Sequence, residues 1–103
     1  MNKQFFFIKL IAPRPTFSQD MDEAERAVMM EHIQYWTGLT EAGTAVLFGP
    51  VFEPTGGYGM GVIEVADEQA AHNVLQQDPT ILSERNFAYE IHPMRVGMIR
   101  KQS

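Results

Sequence analysis

The sequence predicts an α+β fold of the ferredoxin-like kind, βαββαβ, with four antiparallel strands and two helices on one face of the sheet. Three observations predict it. A long amphipathic segment follows a first apolar run and is bounded by a capping signal and a glycine stop. Two further apolar runs are joined by turn chemistry, as in a hairpin. A shorter capped helical segment then precedes a fourth alternating run.

Phe5 to Ile11 is rich in aromatic and branched residues and reads as the first strand. Ala12 to Ser18 holds Pro13 and Pro15 and is expected to be a loop. Asp22 is a helix cap, and Glu25 three residues on completes a capping-box pattern. The helix is expected from about Glu23 to Ala42, with Gly43 as its left-handed stop. At the helical period Ala24, Val28, Met29, Ile33, Tyr35, Trp36, Leu39 and Ala42 share one half of the wheel. Arg26, Glu31, Gln34, Thr37 and Glu41 share the other, with Ala27 and Met30 as apolar exceptions.

Thr44 to Phe52 is the second strand, interrupted near its end by Gly49-Pro50. Residues 53–57 (EPTGG) are turn chemistry, and Tyr58 to Ala66 is the third strand. Asp67 caps a second helix over Glu68 to Gln77. Asp78-Pro79 ends it, because a residue before proline is pushed out of helical geometry. Thr80 to Arg85 allows one more turn. Asn86 to Val96 alternates as a fourth strand in which Pro93 calls for an edge or a bulge. The tail from Arg100 to Ser103 is polar and expected to fray.

The 103 residues fit one domain spanning the whole chain. Eight Lys and Arg against 13 Asp and Glu give a net charge of −5. Such a chain does not concentrate the positive field that nucleic acid or an anionic membrane requires. The absence of cysteine removes disulfides, thiolate catalysis and thiolate metal sites. The run at Phe5 is too short for a signal peptide or a membrane span and is interrupted by Lys9. A cytoplasmic protein is the expectation. The strands look apolar on both sides, and a sheet of that kind needs a cover on each face. A second copy of the chain is the economical cover, so a homodimer packed sheet to sheet is expected, the dimeric α+β barrel.

Three histidines are present. His72 reads as a solvated helix residue and His92 as a strand-edge residue. His32 falls near the middle of the apolar arc of the first helix, where an imidazole must be hydrogen-bonded or line a cavity. Topology brings Arg14, Phe17, His32, Gly49, Pro50 and Asp78 to one edge of the sheet. Asp78 continues the stripe of Ala71, Val74 and Leu75 and so points toward the first helix. A carboxylate there would orient His32 and favour its charged form, as acid–base chemistry needs. The bland alternatives are a satisfied core histidine and an Asp-Pro turn. Gly57, Gly59 and Gly61 open a strand, which is wrong for a nucleotide loop, and fit close backbone approach or a bulge. No metal-ligand spacing is present.

Taken in order, these segments resemble the YCII-related (YciI-like) family. They are the loop with Arg14 and Phe17, residues 29–36 (MMEHIQYW), residues 41–43 (EAG), Phe48-Gly49-Pro50, Gly57-Tyr58-Gly59, Asp78-Pro79 and Pro93. The resemblance covers nearly the whole chain. It implies a ferredoxin-like dimer with a cleft in each protomer centred on a His–Asp pair, here His32 and Asp78. The corresponding function is a cofactor-independent enzyme of lyase or isomerase type acting on a small aromatic or enol-type molecule. His32 moves a proton and Asp78 fixes its ring. Arg14 neutralises a substrate anion, and Phe17, Trp36, Gly49 and Pro50 border the cleft. The alternative is a non-catalytic small-molecule-binding or accessory protein. A third reading borrows from haem-binding dimeric α+β barrels, with His32 as axial ligand.

Overall fold

The computed structural model describes residues 3–101. Met1, Asn2, Gln102 and Ser103, at the ends of the leader-like run and of the polar tail, lie outside the described residues. The elements are β1 (Gln4–Ile11), α1 (Phe17–Asp20), α2 (Glu23–Glu41), β2 (Ala45–Val51), β3 (Tyr58–Val65), α3 (Glu68–Gln76), α4 (Pro79–Leu82) and β4 (Ala88–Met94). The four strands are antiparallel in the order β2-β3-β1-β4. This is the expected ferredoxin-like sheet, with a single-turn helix added before α2 and another after α3.

Both added turns have local causes. The Thr16 carbonyl accepts from the backbone N–H of Gln19 and Asp20, and the Thr16 hydroxyl bonds Asp20 at 2.6 Å. The expected loop over Ala12 to Ser18 therefore winds into α1 at its end. Asp78 caps α4 through the Thr80 backbone N–H, and Pro79 fills the first helical position, where its missing N–H costs nothing.

β1 alternates strictly between the two faces. Phe6, Ile8 and Leu10 point toward the helices and are buried, together with Ile63 and Val65 of β3 and Leu75 of α3. β4 is an edge strand, and it carries Pro93. β2 contains a bulge between Ala45 and Leu47. Ala45 pairs with Ile63 and Leu47 with Val62, so Val46 is the extra residue. A one-residue slip exchanges the faces of a strand. The bulge thus turns Phe48 toward the helices, where its ring lies 6.0 Å from that of Trp36.

The helix faces differ from the wheel at three places. Ile33 is 51% exposed, and Ala24 and Ala42 are exposed as well. The wheel assumes a helix lying along the sheet for its whole length. Instead the start of α2 is held against the α1 segment through Glu25, Ile33 borders an open cavity, and Ala42 is the helix's C-terminal cap. Gly43 follows at φ +85°, as a left-handed stop requires.

The sheet face turned away from the helices carries Phe5, Phe7, Leu47, Met60 and Val62 among Lys9, Glu64, Glu90 and His92. Among the described residues no helix is long and apolar enough to cross a membrane.

Candidate active site

The site begins with the start of α2. The Asp22 carboxylate accepts the Glu25 backbone N–H at 2.8 Å, and the Asp22 backbone N–H donates to Glu25 Oε1 at 2.9 Å. This capping box sets the phase of the helix. His32 and Trp36, one turn apart, then face Asp78 at the junction of α3 and α4.

His32 Nδ1 lies 3.0 Å from both oxygens of Asp78. A carboxylate only accepts, so Nδ1 carries the hydrogen. Among the described residues Nε2 has no hydrogen-bond partner, and no buried side-chain nitrogen or oxygen lacks one. Nε2 therefore opens into the cavity that His32 lines. The imidazole side chain is 11% exposed.

Asp78 is completely buried. Besides His32 it accepts the Trp36 indole N–H at 2.7 Å, the Thr80 backbone N–H at 2.9 Å and the Thr80 hydroxyl at 2.8 Å. Burial pushes the carboxyl up, but the His32 hydrogen bond and charge, with the Thr80 and Trp36 donors, carry it below the usual aspartate value. Asp78 thus both ends a helix at an Asp-Pro turn and meets the histidine.

The cavity holds about 570 Å³, in the range of small-molecule sites. The sheet forms its floor, with Ile8, Leu10 and Phe48. Phe17 closes one side and packs edge-on to Phe87 at 5.3 Å. Gly49 and Pro50 lie on its border, and the hairpin tip touches the proline loop where Gly56 approaches the Pro15 backbone. Gly61 lies directly under Trp36, and a Cβ there would come within 2.5 Å of the indole. The glycine lets the ring approach the sheet closely at the floor of the site. Gly57 likewise abuts the Val51 backbone.

Arg14 sits at the cavity border with its donors engaged. Nη1 and Nη2 each reach a Glu25 oxygen at 2.8 Å, Nε reaches Asp20 Oδ1 at 2.8 Å, and Nη2 also bonds the Asp20 carbonyl at 3.0 Å. Arg14, followed by the Asp22 backbone, holds the Glu25 carboxyl down at about 2, and Arg85 adds to this. Glu25, then Asp20, raises the guanidinium above its ordinary value. The sequence offers Arg14 as the partner of a substrate anion; the geometry gives it two protein carboxylates.

The other histidines lie away from the cavity. His72 Nδ1 is 3.2 Å from the Tyr89 hydroxyl, and His92 Nε2 is 2.9 Å from Glu90. Among the described residues no cluster of three or more His, Cys, Asp or Glu is placed to hold a metal ion. Sequence reasoning missed Thr80 and the second role of Glu25. The run Asp78-Pro79-Thr80 carried the signal for the first, since a cap followed by proline starts a helix. Nothing in the spacing links Glu25 to Arg14 eleven positions earlier.

The fold and this cleft define a class, small ferredoxin-like α+β proteins with a buried carboxylate holding a histidine at a cavity wall. The model of the YCII-related domain matches residues 5–95, and the chain belongs to that family. None of the curated proteins compared with it matches.

Proposed function

We propose that the protein is a cofactor-independent acid–base catalyst for a small aromatic or enol-type molecule, of lyase or isomerase type. The observation that carries this reading is the pairing of His32 Nδ1 with a sealed Asp78 while Nε2 faces the cavity. Nε2 accepts a proton from the bound molecule. Asp78, ionised and fixed by Trp36 and Thr80, stabilises the imidazolium that results. The proton is then returned to another atom of the same molecule. Such assistance contributes about 10²–10⁴-fold. Phe17, Trp36, Phe48, Gly49 and Pro50 shape the wall.

The test is hydrogen–deuterium exchange in D₂O with a panel of enolisable 1,3-dicarbonyl compounds, followed by NMR. Exchange above buffer is expected for at least one compound, with its loss in His32→Gln. Equal exchange in the variant, or no acceleration across the panel, rejects the reading.

A second reading has its own support. Asp78 caps α4 and accepts from Trp36, so the pair also has a packing role. In that case the cleft is a ligand pocket without turnover. His32→Gln would then alter affinity with no rate to lose.

We also propose that two copies pair through their uncovered sheet faces. Phe7, Met60, Val62 and the half-exposed Leu47 support this. Light scattering at micromolar concentration is expected to give twice the chain mass. A species of 11.7 kDa rejects it.

A further inference from the structure

We infer that the cavity selects uncharged, hydroxyl-bearing ring compounds and rejects carboxylates and phosphates of the same size, because the cation at its border is already neutralised by the protein. This deepens the reading of the cavity as a ligand site and rests on it.

The charge layout carries the inference. Among the described residues lining the cavity, Arg14 is the sole Lys or Arg. Four of its five N–H donors are occupied by Asp20 and Glu25. Those two carboxylates outweigh its single charge. Asp20 and Glu25 stand behind Arg14, outside the lining, as does Arg85, and with Arg85 counted the two carboxylates balance the two cations. The exposed Glu53 at the border and Asp78 behind His32 add further negative charge. The N-termini of α2 and α4 are already met by carboxylates, Asp22 with Glu25 and Asp78, and the single turn of α1 carries Asp20.

An anion entering this cavity would lose its hydration and meet no unpaired positive group, which is costly. A neutral ring loses little on entering. It would lie on the floor of Ile8, Leu10 and Phe48 beside Phe17 and Trp36, and its hydroxyl could donate to His32 Nε2. Arg14 is then a specificity residue by virtue of its confinement. It ties the α1 segment to α2 and keeps Phe17 in the wall, and its charge is withheld from the ligand.

The test uses 1-naphthol and 1-naphthoate at pH 7, matched in ring system. The chain has a single tryptophan, so its indole N–H resonance reports occupancy of this cavity specifically. Naphthol is expected to shift the resonance saturably, with naphthoate at least tenfold weaker. In the Asp20→Asn/Glu25→Gln double variant, the new amide oxygen at the third helical position can keep the capping box while the charge of Arg14 is left unbalanced. Naphthoate affinity is expected to rise about tenfold, with naphthol unchanged.

Equal or tighter binding of naphthoate by the wild type overturns the inference and leaves the acid–base reading standing. An unmoved Trp36 resonance with both probes overturns the inference together with the ligand site on which it rests. A folded double variant with no gain for naphthoate shows that the carboxylates do not withhold Arg14, and also overturns it. The wild-type comparison decides the matter if the double variant does not fold.

Discussion

Trp36 and His32 donate to the same oxygen of Asp78, the indole at 2.7 Å and the imidazole at 3.0 Å. The two side chains lie one helical turn apart, so a single carboxylate fixes the indole and the imidazole together. Trp36 therefore has a polar task as well as an apolar one. Its N–H removes a share of the carboxylate's unmet acceptor capacity in a place that water does not reach.

Trp36→Phe keeps an aromatic ring over Gly61 and deletes the donor to Asp78. A loss of about 1–2 kcal/mol in urea unfolding is expected, as for a buried acceptor deprived of a partner. Unchanged stability would show that the bond is inconsequential.

Thr80→Val is nearly isosteric and removes the hydroxyl at 2.8 Å from Asp78 Oδ1, leaving the backbone donor in place. The expected cost is about 1 kcal/mol. Turnover of any substrate found is expected to fall less than in His32→Gln, because the imidazole keeps both its contacts. A loss equal to that of His32→Gln would place Thr80 in the chemistry itself.

Gly61→Ala drives a methyl group into the Trp36 ring on the floor of the cavity. Overpacking of this kind costs about 1–3 kcal/mol. A shifted indole resonance is expected along with the lower denaturation midpoint. An unmoved resonance would mean that the strand, not the ring, gives way.

The acid limit follows from two carboxylates. Asp78 lies below its ordinary 3.8, and Glu25 lies at about 2 against 4.5. A depressed folded-state value means that the folded protein releases the proton more readily than the unfolded chain. Each group's contribution is complete above its unfolded value and is lost as the pH falls toward the folded one. For Glu25 the window runs from 4.5 down to about 2. Unfolding followed by far-ultraviolet circular dichroism is expected to show stability declining below about pH 4.5. In Glu25→Gln the decline is expected to be shallower. An equal slope in both would remove Glu25 from the account.

Much of this arrangement is legible in the order of residues alone. The capping box at Asp22 and Glu25, the stop at Gly43 and the hairpin turn at 53–57 each rest on local chemistry, which sequence displays directly. The approach of His32 to Asp78 is legible through topology, because both sit at the same edge and both extend an apolar stripe. What stays hidden is non-local. The bulge at Val46 answers to Phe48 meeting Trp36 across the sheet, and nothing in residues 44–52 reveals it. Ile33 looks like a core residue on any helical wheel, yet it stands at a hollow, because a wheel cannot show where a neighbouring layer is missing. Arg14 has the composition of an anion binder, and only three dimensions reveal that its own chain got there first.

Asp78 holds up the start of α4 as well as His32, and this bears on how such a protein could age. If the site is catalytic, a lineage relieved of that chemistry that exchanges its histidine takes one donor from Asp78 and leaves the Trp36 and Thr80 donors in place. Exchanging the aspartate would strip a cap, an indole partner and a hydroxyl partner in one stroke. Inert descendants are therefore expected to keep the acid and drop the base, so a retained aspartate is poor testimony for any reaction.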